Sequence, residues 1–164
     1  AICELLPTAR EGEVVGHLGP DVLGPDWDPA EALRRLRADP GRAVGTALLD
    51  QRASAGPGNV YKSEVCFLRG VDPWTPVGEV ADLEGMVDLL RRLMDANRTT
   101  GNQITTGDTR PGRTSWVAGR TGKPCRRCGT PIRKADQPSY DGDRVTYWCP
   151  TCQPGPGPAR TRRR

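Results

Sequence analysis

Two Cys-x-x-Cys pairs constrain this chain more than any other feature. Cys125-Arg126-Arg127-Cys128 and Cys149-Pro150-Thr151-Cys152 stand 20 residues apart. Each pair turns tightly enough for two sulfurs to meet one ion, and four thiolates complete the tetrahedral shell that Zn²⁺ favours. Gly129, directly after the first pair, is expected to free backbone amides to point at the sulfurs. The residues between the pairs, Thr130 to Trp148, are too few and too polar to bury a core of their own. A metal must replace that core, and structural zinc in finger peptides supplies about 10 to 16 kcal/mol. A closed four-sulfur shell leaves no position for water, so one structural Zn²⁺ without chemistry of its own is expected. Disulfides and thiol redox chemistry are the competing readings. A redox Cys-x-x-Cys belongs at a strand-to-helix turn, a setting neither pair has, and iron in the same thiolate site remains an alternative metal. Cys3 and Cys66 lie outside the pattern among apolar neighbours and read as small buried hydrophobes.

Between the pairs, Tyr140-Asp141-Gly142-Asp143 reads as a turn, and Arg144-Val145-Thr146-Tyr147-Trp148 alternates as a strand. The result is a β-hairpin with Arg144 near its tip, placed to meet a phosphate or simply to face solvent.

Ahead of the finger the pattern is helical. Asp28 caps a helix that starts at Pro29 and runs to Ala38, with Ala30, Leu33 and Leu36 inward. A second helix spans residues 43–51, with Val44, Ala47 and Leu48 on one face. Ser54 to Gly58 break it, and Asn59 caps a third helix reaching Leu68, with Val60, Val65 and Leu68 inward. A fourth spans residues 82–97 with Leu83, Val87, Leu90 and Met94 at helical spacing. Residues 99–120 read as an ordered connector, and His17 to Asp21 as a linker leaving an opening strand. The run Ala1 to Leu6 reads as the end of a buried strand, which implies a missing N-terminus. Pro154 to Arg164 reads as a disordered basic tail. The fold expected is mainly α with a small β zinc ribbon.

Charge divides the chain. Residues 1–109 hold 11 Lys and Arg against 17 Asp and Glu, whereas residues 110–164 hold 13 against 3. The basic end suits a polyanion, although composition bias and a solvated surface would give the same count. No apolar run approaches the roughly 20 residues that cross a bilayer, so no membrane association is expected. Gly56-Pro57-Gly58-Asn59 precedes a helix start, where bare backbone amides and the helix dipole can hold an anion, with Lys62 as a nearby cation. A plain helix cap after a tight turn uses the same residues.

The stretch Leu48 to Glu64 with GPGNVYKSE, the HLGPD segment at 17–21 and the finger RTGKPCRRCGTPI to RVTYWCPTCQ together resemble the C-terminal part of the formamidopyrimidine-DNA glycosylase/endonuclease VIII family, in particular its actinobacterial endonuclease VIII-like branch. The resemblance implies four segments: residues 1–24 ending an N-terminal β-sandwich and its linker, 25–119 a helix-two-turn-helix DNA-binding domain, 120–153 the four-cysteine zinc finger, and 154–164 the tail. It also implies base-excision repair of damaged double-stranded DNA by a bacterial cytosolic enzyme, expected as a monomer, that cleaves the glycosidic bond and nicks the strand by β/δ-elimination. Gly58, Asn59 and Lys62 would then contact DNA, and Arg144 would reach the lesion-side phosphates and serve δ-elimination. The family's nucleophile is an N-terminal proline followed by glutamate. Ala1 is not proline and Glu4 does not follow the terminus directly, so this chain alone is expected to bind DNA weakly and to lack base excision. Gly45 and Thr46 occupy the area where some members carry a Lys, so one phosphate contact is expected to be missing. A non-catalytic zinc-ribbon DNA-binding module and a protein-interaction scaffold are the rival functions.

Overall fold

The computed structural model describes Pro7, residues 10–140 and residues 142–159. The readings of Cys3, of the strand end at Ala1 to Leu6 and of the last five tail residues lie outside the described residues. Among the described residues, five α-helices precede one antiparallel hairpin: α1 Glu11–Val15, α2 Pro29–Arg37, α3 Val44–Ala47, α4 Asn59–Leu68, α5 Leu83–Ala96, then β1 Arg133–Gln137 and β2 Arg144–Trp148. The residues just before the linker form one short helical turn at Glu11–Val15.

Two helices start on aspartate caps. Asp28 accepts the Glu31 amide at 3.0 Å, and Asp82 accepts the Gly85 amide at 2.8 Å. The apolar stripe of α5 falls as its spacing requires, with Leu83, Met86, Val87, Leu90 and Met94 buried. On α2 the buried positions are Ala32 and Leu36, while Leu33 is half-buried and Ala30 is exposed. Ala30 lies off the Ala32–Leu36 face, which is the face that meets the core.

α3 is much shorter than the expected 43–51 span. Local hydrogen bonds offered the chain after Leu48 an alternative to the helix. Asp50 accepts the Arg52 amide at 3.0 Å. Gln51 spans the following turn, donating to the carbonyls of Leu49 and Pro57 at 3.2 and 2.9 Å and accepting the Gly56 amide at 2.8 Å. Gly56 itself has φ +107°, a conformation that favours glycine.

α4 is the hub of the molecule, with every residue from Tyr61 to Phe67 buried. Tyr61, Val65 and Cys66 join α2, α3 and α5 in the larger core, whereas Phe67 belongs to a second core with Val117, Ile132, Cys125 and Cys149. A helix covered all round has no single apolar stripe, and Val60 and Leu68, expected inward, are only half-buried.

The hairpin pairs Arg133 with Trp148 through Gln137 with Arg144. The connector is ordered through the Glu64 carboxylate, which accepts the amides of Trp116, Val117 and Ala118 at 2.8, 2.8 and 2.9 Å and the Thr105 hydroxyl. The first part of the tail is also held: Gly155 packs on the Asp72 side chain, and the Gly157 amide donates to Asp72 at 3.1 Å. No described helix is long and apolar enough to cross a membrane.

Candidate nucleic-acid interface

The four cysteines meet as their spacing requires. Every sulfur of Cys125, Cys128, Cys149 and Cys152 lies within 4.8 Å of the others. Cys125 to Cys152 is 3.9 Å and Cys128 to Cys149 is 3.5 Å, too long for disulfides. A tetrahedral site with Zn–S bonds of about 2.3 Å has sulfur–sulfur edges of about 3.8 Å, so the donor set fits zinc. The Thr130 side chain pulls the Cys128 thiol down to about 6, while burial and neighbouring sulfurs push Cys149 and Cys152 up. The amides aimed at sulfur are those of Arg127 and Cys152, at 3.4 and 3.5 Å, while the Gly129 amide donates to the Cys125 carbonyl instead.

Three arginines of the basic end act as staples within the fold. Arg127 donates to the Phe67 carbonyl at 3.2 Å and lies 4.4 Å from the Phe67 ring centre, at the C-terminal end of α4, where a cation is favoured. Arg126 donates to the Gly112 carbonyl at 2.8 Å. Arg120 donates to the carbonyls of Trp116 and Pro124 at 2.6 and 2.9 Å.

The opposite end of α4 meets the hairpin. Asn59, Lys62 and Ser63 share one helix face at i, i+3 and i+4. Asn59 Nδ2 donates to the Val145 carbonyl at 2.6 Å, Lys62 Nζ to Thr146 Oγ1 at 2.5 Å, and Ser63 Oγ accepts the Tyr147 amide at 3.4 Å. The Thr146 hydroxyl donates in turn to Gln137 Oε1 at 2.9 Å, and Gln137 Nε2 donates to the Pro73 carbonyl at 2.8 Å. Lys62 is therefore no surface cation. It is fully buried, and burial lowers its ammonium to about 8. The expectation that Lys62 contacts DNA is corrected on this ground: three residues after Asn59, its side chain turns under the hairpin and cannot reach solvent. Of the two residues in the area of the expected missing lysine, Gly45 is buried, and a Cβ there would collide with Gln137 Oε1, whereas Thr46 is half-buried.

Asn59 does not cap α4. The N-cap is Gly58, which offers no side-chain hydrogen bond, so the first amides of this ten-residue helix lack the carboxylate that closes α2 and α5. That helix end opens into a cleft of about 500 Å³ lined by His17 and Leu18 from the linker, residues 49–52 and 57–59 from the turn, and Ser139, Tyr140 and Arg144 from the finger. Gly58, Asn59 and Arg144 thus meet in one cavity from two separate units. Asp50, Arg52 and Tyr140 were not singled out in the sequence, yet they line it too. The hydrogen bond from Arg52 holds Asp50 well below the usual carboxylate range, and Arg42 adds a second at 2.7 Å. Two ion pairs converging on one aspartate across a turn leave no periodic signature. The adjacency of Asp50 and Arg52 was the available signal.

Fold and site together define a helical unit with a four-cysteine finger clasped against one helix, which leaves an uncapped helix start beside an arginine. Residues 122–155 match the zinc finger found in FPG and IleRS. A probable endonuclease 8 2 of Streptomyces coelicolor is 57% identical over 96% of this chain and 57% of its own length. The DNA-(apurinic or apyrimidinic site) lyase Nei2 of Mycolicibacterium smegmatis is 51% identical over 93% of this chain and 59% of its own. Among solved structures, MutM (Fpg) of Thermus thermophilus aligns with a TM-score of 0.71 and 29% identity over 91% of this chain and 59% of that one. The Lactococcus lactis Fpg in complex with FAPY-dG-containing DNA aligns with 0.71 and 26% over 90% and 56%. The chain belongs to the formamidopyrimidine-DNA glycosylase/endonuclease VIII family. It spans under three fifths of the length of these curated relatives.

Proposed function

We propose that this chain is the DNA-gripping part of a bifunctional DNA glycosylase and AP lyase of base-excision repair. One observation carries the reading: Gly58 and Asn59 at the open start of α4, and Arg144 at the start of β2, line a single cleft. In this reading α3, the turn at 49–58 and α4 form the helix-two-turn-helix module within residues 25–119, and residues 120–153 hold one structural zinc through the four cysteines. Residues 1–24 lead in from the sandwich domain. A phosphate of damaged double-stranded DNA sits at the α4 amides, where unpaired N–H groups and the helix dipole favour an anion. Arg144 grips a neighbouring phosphate on the lesion side and assists δ-elimination. Both sides of the grip come from one polypeptide, so a monomer suffices.

Salt-dependent binding tests the reading. The polypeptide is expected to bind duplex DNA with an abasic-site analogue more tightly than intact duplex, with log affinity falling linearly in log salt. A salt-insensitive affinity would favour a protein-interaction scaffold, and equal affinity for both duplexes a non-catalytic zinc-ribbon module.

A further inference from the structure

Tyr140 is exposed to 78%, whereas most large apolar groups of the described residues are buried. It sits in the loop joining β1 to β2 and lines the same cleft as Asn59 and Arg144. The ring does not hang free. The Arg52 guanidinium lies 4.7 Å from its centre, and Asp50 fixes that guanidinium with hydrogen bonds of 2.9 and 3.0 Å to Nε and a terminal nitrogen. Asp50 is itself held by Arg42 from the turn before α3. An aromatic ring is therefore propped on one face by a strut rooted in the helical unit and left open on the other, at the cleft that Asn59 and Arg144 line.

We propose that the open face of Tyr140 stacks on a nucleobase left unpaired at the lesion, next to the phosphate held by Asn59 and Arg144. The inference rests on the DNA-gripping reading above and adds a specificity element to it. The chemistry selects the ligand class. In intact duplex each base is covered above and below by its neighbours, and a side chain at a hairpin tip finds no free π-face. An unpaired or extruded base presents one, and stacking on tyrosine accepts any base. The Asp50–Arg52 strut orients the ring before the nucleic acid arrives, so the contact needs little further ordering of the side chain.

The test uses the zinc-loaded chain and three fluorescent probes: intact duplex, duplex with an abasic-site analogue opposite 2-aminopurine, and a single strand. Tyr140→Ala is expected to weaken binding to the second and third probes by about 5- to 100-fold and to leave intact duplex unchanged. Tyr140→Phe, which keeps the ring, should bind as the parent does. The parent should quench 2-aminopurine on binding, and Tyr140→Ala should not. Equal loss on all probes, or parent-like affinity and quenching in Tyr140→Ala, overturns the stacking contact alone. No salt-sensitive affinity of the parent chain for any probe overturns the DNA-gripping reading, and this inference with it.

Discussion

Lys62 and Glu64 lie two residues apart on α4, and both are fully buried. Their environments differ. Glu64 accepts three backbone amides and a hydroxyl, whereas Lys62 has one hydroxyl partner. Removing an acceptor that satisfies several donors leaves those donors buried and unpaired. Glu64→Ala is therefore expected to destabilise the protein by about 3 kcal/mol or more, read as a lowered urea midpoint with loosening of the 99–120 connector. Lys62 has the opposite sign. Its folded ammonium titrates near 8, pushed down by burial from 10.5, so below pH 8 folding carries the cost of a buried charge. Between about pH 8 and 10.5 the unfolded chain binds the additional proton, and stability from this group rises with pH. Lys62→Met is expected to be more stable than the parent at pH 7, by on the order of 2 kcal/mol. That advantage should shrink as pH rises to 10. Paired urea titrations at pH 7 and 10 check it, and an advantage independent of pH would show that burial does not penalise the ammonium.

At the scale of elements, α4 joins two cores of unequal independence. The helical core draws on α2, α3, α4 and α5, whereas the finger core holds only Phe67, Val117, Ile132 and two ligand cysteines as fully buried members. A core that small does not order a hairpin without metal. Stripping zinc with a chelator under reducing conditions is expected to unfold β1 and β2 and abolish DNA binding while the helical signal at 222 nm largely persists. Simultaneous loss of both signals would show that the finger and bundle are one cooperative unit. The same asymmetry explains what the sequence made legible. The cysteine spacing located the finger because metal ligands obey fixed local geometry. The apolar stripe of α5 was readable because that helix buries one face. α4 ends at Leu68 as its spacing requires and starts one residue early, at Asn59, but its inward residues were misjudged, because Val60 and Leu68 mark a stripe only on a helix with one covered side. α3 was overextended because the side chains of Asp50 and Gln51, and not the apolar pattern, ended it. Lys62 was misplaced for a related reason: helical spacing puts it beside Asn59, but only the docked hairpin shows that this face is an interior.

Across the whole molecule, the charge count overstates what is available to a polyanion. The basic end holds 13 Lys and Arg against 3 Asp and Glu, yet Arg120, Arg126 and Arg127 direct their guanidinium donors at backbone carbonyls. Net charge attracts DNA at long range whatever each cation touches, but counterion release tracks the cations that meet phosphates. Two arginines near the finger should therefore respond differently to the same substitution. Arg144→Gln removes a cleft cation and is expected to reduce the salt slope by about 1 and weaken binding severalfold. Arg127→Gln removes a strut between the finger and Phe67; it is expected to lower the stability of the zinc-bound protein by about 1 to 2 kcal/mol with little change in the salt slope. Asn59→Ala completes the comparison. A neutral donor releases no counterion, so affinity should fall at every salt concentration with the slope intact. Anisotropy titrations between about 50 and 300 mM salt, paired with urea melts, separate the three. An unchanged slope in Arg144→Gln would mean that the cleft is not the site of grip, and an equal slope change in Arg127→Gln that the metal-binding knuckle meets phosphate as well.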